Sequence, residues 1–254
     1  MDKKSSKTAI ETRIYDSTKE LADAVAGAFK ADSMEARKKG KKFFVALSGG
    51  RTPRAVYERL AREPYRSEIP WADIHIFWGD ERCVPRGHPD SNFNMARDSL
   101  LEQISIPQNN IHRMRGEERP DQEAERYSLE IINTVPDSDV GIPRFDWIFL
   151  GLGRDGHTAS LFPGASSLEE TERLCVSAVD PESGKKRLTL TLPVINNAGR
   201  VLFLVTGKDK ADIVTEILTA EKGKKSYPAS LVAPTAGLLE LYLDHSAASS
   251  IKSS

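Results

Sequence analysis

Phe145-Asp-Trp-Ile-Phe-Leu-Gly-Leu-Gly-Arg-Asp-Gly-His-Thr-Ala-Ser-Leu-Phe-Pro-Gly164 is the stretch that decides the fold of this chain. Trp147 to Leu150 is a continuous apolar run, the pattern of a strand buried on both faces, and it leads straight into a glycine-rich turn. Gly151, Gly153 and Gly156 let the backbone turn sharply and come close to a ligand, and the turn delivers Asp155 and His157. In an open α/β sheet, ligands bind in the crevice beyond the carboxyl ends of the strands. An imidazole placed there, two residues from a carboxylate, is suited to proton transfer near neutral pH.

Outward from this stretch, apolar strands and amphipathic helices alternate. Ser17 and Glu20 form a capping-box pattern ahead of Leu21, Val25 and Phe29, which share one helix face. Phe43 to Leu47 reads as a buried strand, and Pro53 then sits in a first helical turn that Ala55 to Leu60 continue. Ile74 to Trp78 is a strand and Asn92 to Leu101 a helix. Further strands are predicted at Leu174 to Val179, Leu188 to Leu192, Val201 to Thr206 and Leu239 to Leu243, with a helix over Lys210 to Ala220. Such alternation predicts a Rossmann-like α/β fold: a doubly wound, mostly parallel sheet with helices on both faces. No linker or repeat divides it, so residues 10–245 are expected to form a single domain. Residues 1–9 and 246–254 read as polar tails.

The composition is that of an ordinary globular protein, with 254 residues, 39% apolar and 29% charged. Thirty-six Lys and Arg nearly cancel 37 Asp and Glu, so no global field draws the chain to nucleic acid or membrane. The basic run Arg37 to Lys42 reads as a solvated helix end. No run approaches a membrane span and the start carries no secretory signal, which predicts a cytoplasmic location. Cys83 and Cys175 lie far apart and without His or Cys at ligand spacing, so two reduced thiols and no metal site are expected. The oligomeric state is not legible; a monomer is compatible with everything above.

Gly151, Gly153 and Gly156 also fill the slots of a dinucleotide fingerprint, but His157 follows at once. Glu169, Glu170 and Glu172 precede the next apolar run instead of ending it, which is the wrong context for a ribose-binding acid. A purely structural histidine is the other plain alternative. Three more segments weigh against it. Leu47-Ser-Gly-Gly-Arg-Thr-Pro53 joins a strand to a helix start, where successive N–H groups and the helix dipole suit an anion. It lacks Gly-Lys-Ser/Thr, so a nucleoside triphosphate is disfavoured; a tight turn capped by Ser or Thr is its structural alternative. Asp80, Glu81 and Arg82 follow Phe77 and Trp78 and suit a polar crevice wall or a solvated turn, while Ser91 or Asn92 can cap the next helix. Arg187, Lys208 and Lys210 add cations beside late strands.

At this point the chain resembles a known family. Ser48-Gly-Gly-Arg-Thr-Pro53, Asp80-Glu-Arg82 with Val84-Pro85 and Ser91-Asn92, and Gly151 to Gly164 are similar to the signature blocks of the 6-phosphogluconolactonases. Arg187-Leu-Thr-Leu-Thr191 and Thr206-Gly-Lys-Asp-Lys-Ala211 resemble its later blocks, and the likeness runs in order from about residue 10 to residue 243. The superfamily also holds glucosamine-6-phosphate deaminase/isomerases, which carry a catalytic glutamate five residues after the histidine; here that position is Phe162.

The resemblance implies hydrolysis of 6-phosphoglucono-1,5-lactone to 6-phosphogluconate in the oxidative pentose phosphate pathway. It implies that Ser48, Gly49, Gly50, Arg51, Thr52, Arg187 and Lys210 hold the phosphate, with Glu81 also on the substrate. It further implies that His157 activates water, that Asp155 orients His157, and that Asp80 and Arg82 complete the catalytic set, Arg82 supporting either the oxyanion or the substrate hydroxyls. Such an ester hydrolysis needs neither metal nor organic cofactor. The rivals are a deaminase/isomerase, a covalent mechanism at Ser160 that lacks a surrounding Gly-x-Ser-x-Gly, and a non-catalytic sugar-phosphate sensor. A sensor has little need of an acid–base pair.

Overall fold

The computed structural model describes residues 10–219 and 227–251. In chain order the elements are β1 (Ile10–Tyr15), α1 (Thr18–Lys38), β2 (Phe43–Leu47), α2 (Arg51–Leu60), α3 (Tyr65–Glu68), β3 (Ile74–Trp78), β4 (Asp80–Arg82), α4 (Asn92–Ser99), α5 (Pro120–Thr134) and β5 (Trp147–Leu150). They continue with β6 (Cys175–Val179), β7 (Lys186–Leu190), α6 (Leu192–Asn196), β8 (Arg200–Val205), α7 (Ala211–Thr219) and β9 (Leu238–Asp244).

Six strands make a parallel sheet in the order β1-β9-β8-β5-β2-β3, flanked by helices. Every residue of β2 and β5 is buried, as two-sided helix cover requires of a continuous apolar strand. At the start of α1 the Ser17 hydroxyl accepts the Glu20 N–H at 3.2 Å. The Glu20 carboxylate returns to the Asp16 N–H, one residue before the cap, which gives a shifted capping box. Leu21, Val25 and Phe29 are buried as their spacing predicts.

Two strands expected in the main sheet lie elsewhere. Leu174 to Val179 and Leu188 to Leu192 settle as β6 and β7, antiparallel to one another and to β4, in a second sheet of order β4-β7-β6. The reason is the length of their connection. Asp180 to Lys185 closes as a hairpin, with Asp180 N–H to Lys185 C=O at 3.0 Å, whereas a parallel neighbour needs a crossover of about a dozen residues. Helix α5 escapes the periodicity because Leu129 and Ile132 are exposed and blur the buried stripe of Ala124, Tyr127 and Ile131.

The expected tail from Ser246 is a second correction. Asp244 accepts the Ala247 N–H at 2.7 Å, turning the chain back so that Ala247 and Ala248 are buried. Residues 1–9 and 252–254 of the expected tails, and Ala220 of the predicted helix, lie outside the described residues. Among the described residues no helix is long and apolar enough to cross a membrane.

A histidine pair lies across the outer side of β3. His75 Nδ1 is 3.0 Å from His112 Nε2, and His112 Nδ1 is 2.8 Å from the Glu130 carboxylate. The carboxylate keeps a proton on Nδ1 of His112, leaving Nε2 to accept from His75. Burial, then the neighbouring His112 and Lys42, push His75 down to about 4. The unfolded chain therefore takes up this proton first as pH falls, so the contribution of neutral His75 is fully present above about pH 6.5 and fades towards pH 4. Thermal melts between pH 7 and 4.5 should show a shallower loss of Tm in His75→Gln than in the parent. Equal slopes would remove His75 from the acid sensitivity.

Candidate active site

The order of winding reverses at β2, which has β3 on one side and β5 on the other. Loops leaving neighbouring strands at such a point diverge and open a crevice. Register keeps the strand ends level, pairing Leu47 with Trp78 and Leu150 with Phe203. Loops after β2, β3, β5 and β8 accordingly line one cleft of about 330 Å³.

The β2 loop carries Ser48 to Thr52. The Tyr57 hydroxyl accepts the Ser48 N–H at 2.9 Å and donates to the Ser48 carbonyl at 2.8 Å, which fixes the loop's entry. Burial pushes that phenol far up, so it stays a neutral donor. Gly50, at φ 108°, adopts a backbone that other residues rarely take, and it caps α2 with no side chain. The first N–H groups of this ten-residue helix thus meet no side-chain cap at the cleft, a setting suited to an anion. The Thr52 and Thr206 hydroxyls, 2.7 Å apart, tie this loop to the one after β8.

After β3, Asp80 accepts from the Ser160 hydroxyl at 2.7 Å and from the Asn92 amide at 3.1 Å, holding a buried carboxylate against the cleft. Arg82 also lines the cleft and donates one N–H to the Asp90 carbonyl at 2.6 Å, which leaves other donors of its fork for a ligand. In the loop after β5, His157 Nδ1 lies 2.6 Å from Asp155 Oδ1, and the same oxygen accepts the His157 N–H at 3.2 Å. A carboxylate on Nδ1 holds a proton there and leaves Nε2 as the basic nitrogen of the neutral ring. Gly153 permits this pairing, since a Cβ there would lie 2.2 Å from His157 Nδ1 and 2.5 Å from Asp155 Oδ1. Phe162 is buried, its ring 5.0 Å from the imidazole.

The loop after β8 supplies Lys210, while Lys208 lies outside the lining. Burial lowers the Lys210 pKa; Arg154 and Arg51 push the same way, against Asp209 and Asp155. The structure thus gathers Ser48, Gly49, Gly50, Arg51, Thr52, Asp80, Arg82, His157 and Lys210 on one cleft, with Asp155 behind His157.

Two predicted site residues are not brought to it. Glu81 turns away and clamps the start of α4, accepting N–H groups of Arg82 (2.8 Å), Asn92 (2.7 Å) and Phe93 (2.8 Å) and the Ser91 hydroxyl (3.0 Å). Burial pushes its carboxyl up while the three N–H groups pull it down. The β pleat explains the split, because neighbours Asp80 and Glu81 point to opposite faces. Arg187 is also absent from the lining; it pairs with Asp180 at 2.8 Å, beside the hairpin it helps to close. The Ser160 hydroxyl is buried and given to Asp80, not to the histidine, as a covalent mechanism would require.

Sequence reasoning missed Arg154, Thr206 and Asp209, all on the cleft wall. Arg154 sits within the quoted glycine-rich turn, and Thr206 and Asp209 within a block already singled out, so position was available and orientation was not. Among the described residues no group of three or more His, Cys, Asp or Glu converges for a metal ion.

Comparisons with known proteins place the chain in a family. A curated protein of Haemophilus influenzae named 6-phosphogluconolactonase is 43% identical over 203 residues, covering 80% of this chain and 85% of its own. One of the same name from Synechocystis is 44% identical over 209 residues, covering 82% and 84%. The solved structure of 6-phosphogluconolactonase from Trypanosoma brucei superposes with a TM-score of 0.85 at 29% identity, over 96% of this chain and all of that one. The family model described as glucosamine-6-phosphate isomerases/6-phosphogluconolactonase matches residues 16–241, and the chain belongs to that family.

Proposed function

We infer that the protein hydrolyses 6-phospho-D-glucono-1,5-lactone to 6-phospho-D-gluconate in the oxidative pentose phosphate pathway. Similarity to proteins named 6-phosphogluconolactonase over most of the chain supports the reaction. The observation that carries the chemistry is the Asp155–His157 pair, 2.6 Å apart, in a cleft that also holds Arg51 and Lys210.

The phosphate rests on the Ser48 to Thr52 loop at the N-terminus of α2, with Arg51 and Lys210 supplying charge. Nε2 of His157 takes a proton from water as the water oxygen bonds to the lactone carbonyl carbon. Asp155 stabilises the resulting imidazolium. Arg82 is the cation available for the developing oxyanion, and Asp80 accepts from sugar hydroxyls. Collapse of the tetrahedral intermediate breaks the bond between C1 and the ring oxygen, and the imidazolium returns its proton to that oxygen. The free acid then ionises.

Turnover of freshly prepared lactone, corrected for spontaneous hydrolysis, tests the assignment. A rate no higher than background, or ammonia release from glucosamine-6-phosphate, would overturn it. Lys210→Ala should lose about 1.5–3 kcal/mol of phosphate recognition, roughly 10–150-fold in kcat/KM. Unphosphorylated gluconolactone should be turned over much as before. If the preference for the phosphorylated lactone survives, Lys210 does not bind the phosphate.

A further inference from the structure

We propose that Arg154 is a specificity-determining residue that reads the substrate's phosphate. The proposal rests on the lactonase reading of this cleft and adds a cation that the sequence blocks did not single out. Arg154 lines the cleft from the turn after β5, between Gly153 and the Asp155 that holds His157. It makes no ion pair with any described residue, unlike Arg187, which is committed to Asp180. Arg51, Arg154 and Lys210 line the same cleft from three separate segments of the chain, and the charges of Arg154 and Arg51 both act on Lys210.

Like charges brought together repel, and the arrangement is costly until an anion enters. Asp209 and Asp155 are the carboxylates that oppose them at Lys210, and Asp155 is already engaged by His157. A phosphate monoester carries about −1.5 to −2 charge near pH 7 and three acceptor oxygens, which suits a site where three cations outnumber two carboxylates. Arginine adds a planar fork of donors, where Lys210 offers a point charge. Arg154 also reaches the cleft from the catalytic turn itself, so a phosphate held there is fixed relative to His157.

The test compares Arg154→Ala and Arg154→Lys with the parent on two substrates, the phosphorylated lactone and glucono-1,5-lactone. In Arg154→Ala, kcat/KM for the phosphorylated lactone should fall roughly 10–100-fold, and that for the plain lactone should change less than about twofold. Arg154→Lys should recover part of the loss, and added salt should depress the parent's kcat/KM more than that of Arg154→Ala. An unchanged preference between the two lactones would overturn the proposal, whether overall activity holds or falls equally on both. Calorimetric binding of inorganic phosphate gives a readout independent of turnover. Weaker binding by Arg154→Ala supports the proposal even if the parent proves inactive on the lactone, and equal binding by both proteins would sink it.

Discussion

Replacing His157 by alanine is expected to lower kcat about 10²–10⁴-fold, the usual contribution of a positioned acid–base group, with the fold intact. That span corresponds to about 3–5 kcal/mol of transition-state stabilisation. An imidazole can both take a proton from water and return it to the ring oxygen, and Asp155 Oδ1 lies 2.6 Å from its Nδ1. Its side chain keeps 35% of its surface exposed, so its removal takes little from the core. The Tm should therefore stay within a few degrees of the parent while the enzyme-dependent rate at saturating lactone collapses. A folded His157→Ala protein that turns over near the parent rate would remove the residue from the mechanism.

The second large effect is on stability. Glu81→Ala should destabilise the protein by about 3–5 kcal/mol, because it strips the acceptor from buried donors. Three backbone N–H groups and the Ser91 hydroxyl converge on this carboxylate, and each buried orphan costs about 1–3 kcal/mol, less whatever water recovers. For a chain of this size the loss is roughly 6–20 °C in Tm. Below the transition, KM for the lactone should hold, since the side chain faces α4 and not the cleft. An unchanged Tm together with a raised KM would return Glu81 to the substrate.

The contrast between Glu81 and its neighbours shows where sequence patterning stops. Asp80, Glu81 and Arg82 are equally polar and equally close to a strand end, and nothing in their order says which will meet substrate. Short-range pleating sends Asp80 and Arg82 to one face and Glu81 to the other. Arg187 differs in the same way, its charge claimed by Asp180 across a hairpin that apolar periodicity does not report. The strands of the main sheet were legible because each is an apolar run bounded by turn residues, and β2, β3 and β5 fall where their runs lie. Strand β1 is the exception, since its middle residues are exposed and leave no apolar run to read.

By itself the sequence determined the parallel α/β class, the strand that ends at Leu150, and the turn that places Asp155 two residues before His157. Those features are local: burial dictates apolar runs, and glycine dictates the turn. Tertiary structure alone decided that β6 and β7 leave the main sheet, that Glu81 serves α4, and that Arg51, Arg154 and Lys210 line one cleft. Each of these depends on strand order and side-chain direction, which come from packing distant segments together and leave no periodic trace in the chain.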